Sequence, residues 1–510
     1  MVQAVKVRNR PTNTLTDAIA DMNVLGPALL FGLSITFESR VLLVAGLAWA
    51  ACEAIFLLLS KLVLKLDRFS FVAMTGAATS ATFLGGALPI QIEILLAGHA
   101  VTAPSDARYI FNTDTTLTAS VALYLTAFRY VCGIFSCWDT PHWQRALGEL
   151  STKLSRSSNR ELAVTLSIVV AAAVLIAGLL STGLIAVNTA HVGTGENAEM
   201  PIWLSLLFTS LPTLAMASAI VVASARGQLL SQAIAISAIA IVLVFAFAFG
   251  RRTFLFTFLL VIAVWFWLRP DTLKPHFIFI AAISSGPLLL VASTIFQAAR
   301  LAQGDISIVV DSPSLHEVLL SDAFQARLPF AAEQAWSDFA SRAYSISFFV
   351  DVFERFTPQQ AMMGELFAFS GPLRAIPSLF WPEKTRVLAD YASPELPVQR
   401  MLMLYETDQA MPMAVIGYVD WWIFGAIIAP AIVLAISMAF VTLALWSHHV
   451  IAKTAAISSA IVMAWNAEFE FAAAFVYLRF VVIAHLTFAI LDAVALKRTI
   501  ARASHSPSRP

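Results

Sequence analysis

Residues 413–445 read MAVIGYVDWWIFGAIIAPAIVLAISMAFVTLAL, an apolar run in which Asp420 is the sole charged side chain. The run lacks the strict alternation of a strand and exceeds the roughly 20 residues a helix needs to cross a bilayer, so it is read as a membrane-spanning helix. Backbone left unpaired in hydrocarbon costs several kcal/mol per group, which restricts spanning segments to helices or closed barrels. Eleven further runs of the same kind lie near 22–37, 41–59, 69–97, 117–137, 162–186, 202–224, 229–249, 253–268, 276–298, 454–469 and 474–496.

The bulk composition agrees. Of 510 residues, 59% are apolar and 13% charged, with Lys+Arg and Asp+Glu equal at 32 each. A soluble protein carries about 25% charged residues, so this surface is not built for water. Electroneutrality also argues against a nucleic-acid partner, which requires a basic field. The three cysteines, Cys52, Cys132 and Cys137, sit in apolar runs without disulfide or metal-ligand spacing and are read as small buried hydrophobes. Met1–Asp21 is polar, with Lys6, Arg8 and Arg10, and does not read as a secretory signal.

Orientation follows from the sidedness of Lys and Arg. With the N-terminus inside, the inner loops collect Lys61, Lys65 and Arg68, then Arg145, Lys153, Arg156 and Arg160, then Arg226, Arg269, Lys274, Lys453, Lys497, Arg498 and Arg502. The expectation is an all-α polytopic membrane protein of about 12 transmembrane helices with cytoplasmic N and C termini. It divides into a bundle at 1–298, an extracytoplasmic cap loop at 299–412, C-terminal transmembrane helices at 413–496 and a cytoplasmic tail at 497–510.

Two features break the inside bias. Arg251 and Arg252 form an outer turn, in Phe249-Gly250-Arg251-Arg252-Thr253, where they serve either as headgroup anchors or as a site for an anionic ligand. The second is the long cap loop, whose eight cations face fourteen acids. It contains Trp336, Trp381 and many Phe, so it is expected to fold. Within it Trp336, Phe339, Ala343, Ile346, Val350, Phe353 and Phe356 recur at steps of three and four, predicting an amphipathic interfacial helix. Arg342 falls inside that apolar stripe, either paired with Asp338 one turn back or pointing into a covered cavity.

The next stretch carries Gly364-Glu365-Leu366, then Arg374-Ala375-Ile376-Pro377-Ser378-Leu379-Phe380-Trp381-Pro382-Glu383-Lys384, then Glu406-Thr407-Asp408 and Ile416-Gly417-Tyr418-Val419-Asp420-Trp421-Trp422-Ile423-Phe424-Gly425. Together with the Gly-Arg-Arg turn at 250–252 and Ser341-Arg342, this resembles the bacterial oligosaccharide repeat-unit polymerases, the Wzy-type O-antigen and exopolysaccharide polymerases. Two positions depart from that family's pattern: Ser378 stands where Arg is usual and Thr385 where Pro is usual. Arg374, four residues before Ser378, is the substitute cation.

The resemblance implies a metal-independent glycosyltransferase at the outer face of the bacterial inner membrane. It would move a glycan from polyprenyl diphosphate onto another lipid-linked repeat unit without any cofactor. The implied partners are the polyprenyl-diphosphate-linked oligosaccharide, membrane lipids, and a chain-length regulator and flippase of the same pathway. Such chemistry needs cations at the leaving diphosphate, a role that suits arginine's planar fork. The candidates are Arg251, Arg252, Arg342, Arg374, Lys384 and Arg479. Arg479 lies about a turn inside the last span, where it either binds ligand or pairs with Glu468 or Glu470. A general base for the acceptor hydroxyl is sought among Glu406, Asp408 and Asp420, each of which could equally be a solvated or capping acid. No metal-ligand spacing occurs in the outer loops. The rival readings are an O-antigen ligase-like transferase, which would lean on a loop His such as His316, and a transporter or flippase of lipid-linked sugars, which calls for repeats and broken helices near the midplane.

Overall fold

A computed structural model of the chain describes residues 25–59, 69–98, 114–156, 315–342, 345–376, 380–391, 395–404, 411–465 and 471–504, with Ser167 and short pieces between 290 and 302. All regular structure among the described residues is helical. In chain order the principal helices are α1 (Leu25–Phe37), α2 (Arg40–Leu59), α3 (Phe71–Ala97), α4 (Thr115–Arg156), α5 (Asp322–Arg342) and α6 (Ser345–Arg355). They continue with α7 (Glu365–Ser370), α8 (Pro372–Ala375), α9 (Met413–Trp421), α10 (Gly425–Trp446), α11 (Val450–Trp465) and α12 (Phe471–Ser504).

Four stretches are long and apolar enough to cross a membrane: Arg40–Leu58, Phe71–Ala97, Thr115–Leu154 and Met413–Trp446. Leu25–Phe37, Val450–Trp465 and Ala474–Ile490 are shorter apolar helices. These seven coincide with seven of the expected spans. Of the remaining five, 162–186 (Ser167 excepted), 202–224, 229–249 and 253–268 lie outside the described residues, and 276–298 is described only in pieces from Leu290.

The bundle is locked at one end by a buried carboxylate. Ser70 caps α3, its hydroxyl accepting the Ala73 N–H at 3.1 Å. Asp139, on α4 and fully buried, accepts from Ser70 Oγ at 2.6 Å, from the Val72 N–H at 3.1 Å and from Ser437 Oγ of α10 at 3.0 Å. The Trp143 indole N–H completes the set by donating to Ser437 Oγ at 2.9 Å. One side chain thus ties α3, α4 and α10 together and satisfies donors that the apolar interior would otherwise orphan. Nearby, the buried Lys453 of α11 meets Glu149 of α4 at 2.6 Å, and Lys153 donates to the carbonyl of His448, just past the end of α10, at 2.7 Å. Deeper in the bundle the buried Arg129 lies 3.8 Å from Glu53 of α2 and donates to the Ala50 carbonyl at 3.3 Å.

Two expectations need correction. The 117–137 span is part of a 42-residue helix, so the basic stretch expected as loop beyond it stays helical as far as Arg156 and buries Trp143 and Leu147 against the bundle. The amphipathic stripe falls on α5 and α6, and residues 343–344 between them lie outside the described residues. Finally, 413–445 is not one rod. Trp422 adopts φ 52°, ψ −139°, a strained conformation for a residue with a Cβ, and the chain folds back there. Gly417 and Gly425, which a continuous helix would hold about 12 Å apart, touch so closely that a Cβ on Gly425 would lie 2.0 Å from the Gly417 carbonyl oxygen. The nine-residue α9 is therefore a short arm lying on α10, and α10 alone, with 22 residues, has spanning length.

Gly425→Ala is expected to destabilise the protein by at least the upper end of the about 1–3 kcal/mol typical of overpacking. Gly32→Ala, where an added Cβ meets nothing within 4 Å, is expected to leave stability unchanged. Thermal midpoints in detergent check both.

Candidate functional site

The end of the bundle opposite Asp139 is covered by α6–α8 and the loops around them. α6 presents Ile346, Phe349, Val350, Val352 and Phe356 inward, while Glu354 and Arg355 remain exposed. The inward face closes on Tyr418 of α9. The Phe353 ring stacks on Tyr418 with centroids 4.8 Å apart, and Phe349, Phe356 and Tyr124 surround it at 5.7, 5.7 and 5.3 Å. Such pairs contribute about 0.5–1.5 kcal/mol each beyond their buried area. Tyr124 also donates to the Ala414 carbonyl at 3.0 Å, fixing α9 against α4.

Once fixed, α9 organises the chain beyond α6. The Met362 N–H donates to the Val419 carbonyl at 3.2 Å and the Met363 N–H to the Asp420 carbonyl at 2.9 Å. The chain then turns through Met363 (φ 52°) and Gly364 (φ 93°) against the Trp421 indole. The Asp420 side chain, fully buried, accepts the Leu366 N–H at 3.1 Å on Oδ1 and the Phe367 N–H at 2.8 Å on Oδ2. These are two of the donors that the first turn of α7 leaves unpaired. Asp420 is thus a helix-capping anchor with both oxygens committed. Of the two readings open to this acid in the sequence, capping residue or general base, the geometry describes the first: it positions the segment that follows α6.

α7 leads through Gly371 into α8, whose last turn faces α12. The Phe367 ring packs on Phe475 at 6.1 Å. One turn further along α12, Arg479 donates from Nη1 to the Ala375 carbonyl at 3.0 Å and lies over the Phe480 ring at 4.9 Å. Lys384 donates from Nζ to the neighbouring carbonyl, that of Ile376, at 2.6 Å. Two expected cations, far apart in sequence, therefore converge on adjacent carbonyls at the half-buried end of α8. Among the described residues no carboxylate pairs with Arg479, and its buried Nε has no hydrogen-bond partner. Glu468 and Glu470, the acids considered for it, lie outside the described residues.

Arg374 falls within α8 beside this pair and Arg342 closes α5, but the side chains of both lie outside the described residues, as do Arg251, Arg252, Glu406 and Asp408 altogether. One acid that the sequence did not single out stands at the site. Glu365, the first residue of α7, is exposed and accepts a hydrogen bond from the Tyr391 hydroxyl. Burial, and then the Glu365 carboxylate, push the Tyr391 phenol up to about 12, so it remains a neutral donor at physiological pH. The signal available in the chain was Gly364-Glu365, an acid at the first position of a helix after a turn glycine. Elsewhere on this face Arg400 meets Asp390 and Arg386 meets Glu383, both at 2.8 Å and both exposed, so they add little stability. Among the described residues no three His, Cys, Asp or Glu side chains gather as metal ligands would.

No family model, no curated protein and no solved structure matches this chain.

Asp420→Asn removes one of the two acceptors under α7. Amide exchange at Leu366 and Phe367 is expected to speed up at least tenfold while amides near Asp139 keep their protection, as read by hydrogen–deuterium exchange with mass spectrometry.

Proposed function

We propose that the chain is a membrane glycosyltransferase that polymerises polyprenyl-diphosphate-linked oligosaccharide repeat units. The observation that carries this reading is the convergence of Lys384 and Arg479 on the Ala375–Ile376 carbonyls, with Arg374 in the same turn, at one end of an apolar bundle. A diphosphate entering there would find cations already held in place. Arg479 meets no carboxylate among the described residues, and its depth along an apolar helix matches a lipid-borne anion better than a soluble one. As the bond between sugar and diphosphate breaks, negative charge grows on the departing oxygen, and fixed cations in a low-dielectric setting stabilise that charge most.

In this reading Arg251, Arg252 and Arg342 are further phosphate or glycan contacts, and Glu406 and Asp408 line the acceptor side. The full chain makes about twelve spans in a bacterial inner membrane with both termini cytoplasmic, and the 299–412 segment caps the outer face. Growing glycan passes between lipid-linked units there, with a flippase and a chain-length regulator acting on the same pool.

One observation favours a second reading, transport of lipid-linked sugars: the chain breaks between α9 and α10, and broken helices mark transporter sites. Transporter breaks lie near the midplane, however. This one comes where α10 begins, at the end of a full spanning length, which suits a site at the membrane surface.

Vesicles containing the purified protein and a polyprenyl-diphosphate-linked repeat unit are expected to yield a ladder of longer glycans. Lys384→Ala and Arg479→Ala are each expected to lose about 2–3 kcal/mol of transition-state stabilisation, a roughly 30- to 150-fold fall in extension rate. Unextended units crossing the bilayer without a ladder would replace polymerisation with the transport reading.

A further inference from the structure

We infer that an aqueous vestibule is cut into the bilayer beside α9, so that water stands over α6 and α7 at a depth where lipid covers the far face of α4. Two groups of helices, out of step along a common axis, lead to it.

The level of the bilayer is marked by α2, α3 and the first half of α4. At one end Arg40, which opens α2, donates to Oγ1 of Thr115, which opens α4, at 3.2 Å from Nε and 3.1 Å from Nη2. At the other end Asp139 of α4 holds Ser70 and the Val72 N–H at the start of α3. Thr115 and Asp139 lie 24 residues apart on one helix, about 36 Å, enough to cross the hydrocarbon and enter the headgroups. The exposed side chains of α2 and of this half of α4 are apolar or aromatic, among them Val41, Ile55, Phe56, Ala127, Tyr130 and Trp138. Past both ends the exposed residues turn polar, with Glu38 and Asp114 beyond Thr115, and His142, Gln144 and Arg145 beyond Asp139. A lipid-facing zone bounded by water shows that succession of surfaces.

α10 is displaced from this zone. It runs parallel to α4, because Ser437 meets Asp139 and, further along both helices, the His448 carbonyl meets Lys153. Gly425, where α10 starts, precedes Ser437 by 12 residues, so it stands only about 18 Å from the Asp139 level, half the distance to Thr115. α9 supplies an independent measure. Its Ala414 carbonyl accepts from Tyr124, which lies nine residues, or about 13.5 Å, inside the start of α4. By either measure α9 and the first turn of α10 stand on the order of 10 Å or more below the level of Thr115.

The side chains exposed beside α9 are nevertheless charged. Glu354 and Arg355 are exposed at the end of α6, next to Phe353, whose ring stacks on Tyr418 at 4.8 Å. Glu365 is exposed on α7, and its neighbour Leu366 donates to the buried Asp420 of α9 at 3.1 Å. Charged side chains are costly in hydrocarbon and at such depth face protein or a water-filled cavity. Irregular backbone, here the turn through Met363 and Gly364, is tolerated at membrane depth under the same condition. One depth therefore carries two surfaces, lipid on the Ala127 and Tyr130 face of α4 and water over α6 and α7. The boundary between membrane and water is sunk at α9. Along with water, the vestibule admits the hydrophilic end of a lipid whose chain stays in the leaflet, because its polar groups meet no hydrocarbon there.

The test uses full-length protein in lipid nanodiscs, which leave both faces open to solution, with the native cysteines replaced by alanine. Single cysteines are placed in the vestibule, as Glu354→Cys and Glu365→Cys, and on the lipid face at the same depth, as Ala127→Cys. Each variant is taken forward at the wild-type elution volume and reacted with a charged, membrane-impermeant methanethiosulfonate. Glu354→Cys and Glu365→Cys are expected to react within tenfold of the rate of a free thiol, and Ala127→Cys at least 100-fold more slowly. Vestibule cysteines as slow as Ala127→Cys would overturn the proposal, since water would then be absent beside α9. Ala127→Cys as fast as the other two would overturn it as well, since that level would then lie outside the bilayer. No substrate enters the reaction, so its outcome is separate from whether the wild type forms a glycan ladder.

Discussion

Two backbone N–H groups, those of Leu366 and Phe367, find their acceptors on the buried carboxylate of Asp420, and the end of the bundle is assembled around that fact. A helix of six residues has too few internal hydrogen bonds to stand alone. α7 exists because α9 supplies from outside what its first turn lacks, and α9 is in place because Tyr418 is packed in by Phe349, Phe353, Phe356 and Tyr124. The dependency runs from aromatic packing to a carboxylate, from the carboxylate to a short helix, and from that helix to Glu365, Ala375 and Ile376. The polar groups of this end sit last in the chain of supports, each held by something more deeply buried.

The parts legible in the chain were those governed by local pattern. Apolar length marked the helices among the described residues, and the three-and-four spacing from Ile346 to Phe356 marked the face of α6 that is buried. Three things were not legible, for different physical reasons. The fold-back at Trp422 depends on Gly417 meeting Gly425, a close approach that neither glycine announces by itself. The continuation of α4 past residue 137 is driven by tertiary burial of Trp143 and by Asp139, which override the expectation that a basic, less apolar stretch leaves the membrane as loop. The meeting of Arg479 with Lys384 arises from elements separated by about a hundred residues, and no periodicity records such a pairing. Asp420 was recognised as an acid of interest, but whether it faces solvent or backbone N–H groups is decided by the fold-back that the pattern hid.

Charge inside the bundle follows the same economy. Arg129 is set against Glu53, Lys453 against Glu149, and Asp139 is saturated by hydroxyl and backbone donors. Breaking such a pair leaves an uncompensated buried charge, which costs far more than the pair contributes when intact. Arg479 contrasts with all three: among the described residues its company is a carbonyl and an aromatic ring, both neutral. That difference sets Arg479 apart from the cations that serve the scaffold.

The length of α4 has a mechanical corollary. Forty-two residues of continuous helix make a rod of about 63 Å, roughly twice the hydrocarbon thickness of a bilayer. Its first turns carry Tyr124 into the aromatic nest, and its last turns carry Lys153 to the terminus of α10. A rigid-body tilt of about 5° would move one end relative to the other by about 5 Å, with Pro141 the place where the rod bends most easily. The helix is therefore a lever: a displacement at the aromatic nest is carried along one rod to the far end, where Lys153 meets the terminus of α10.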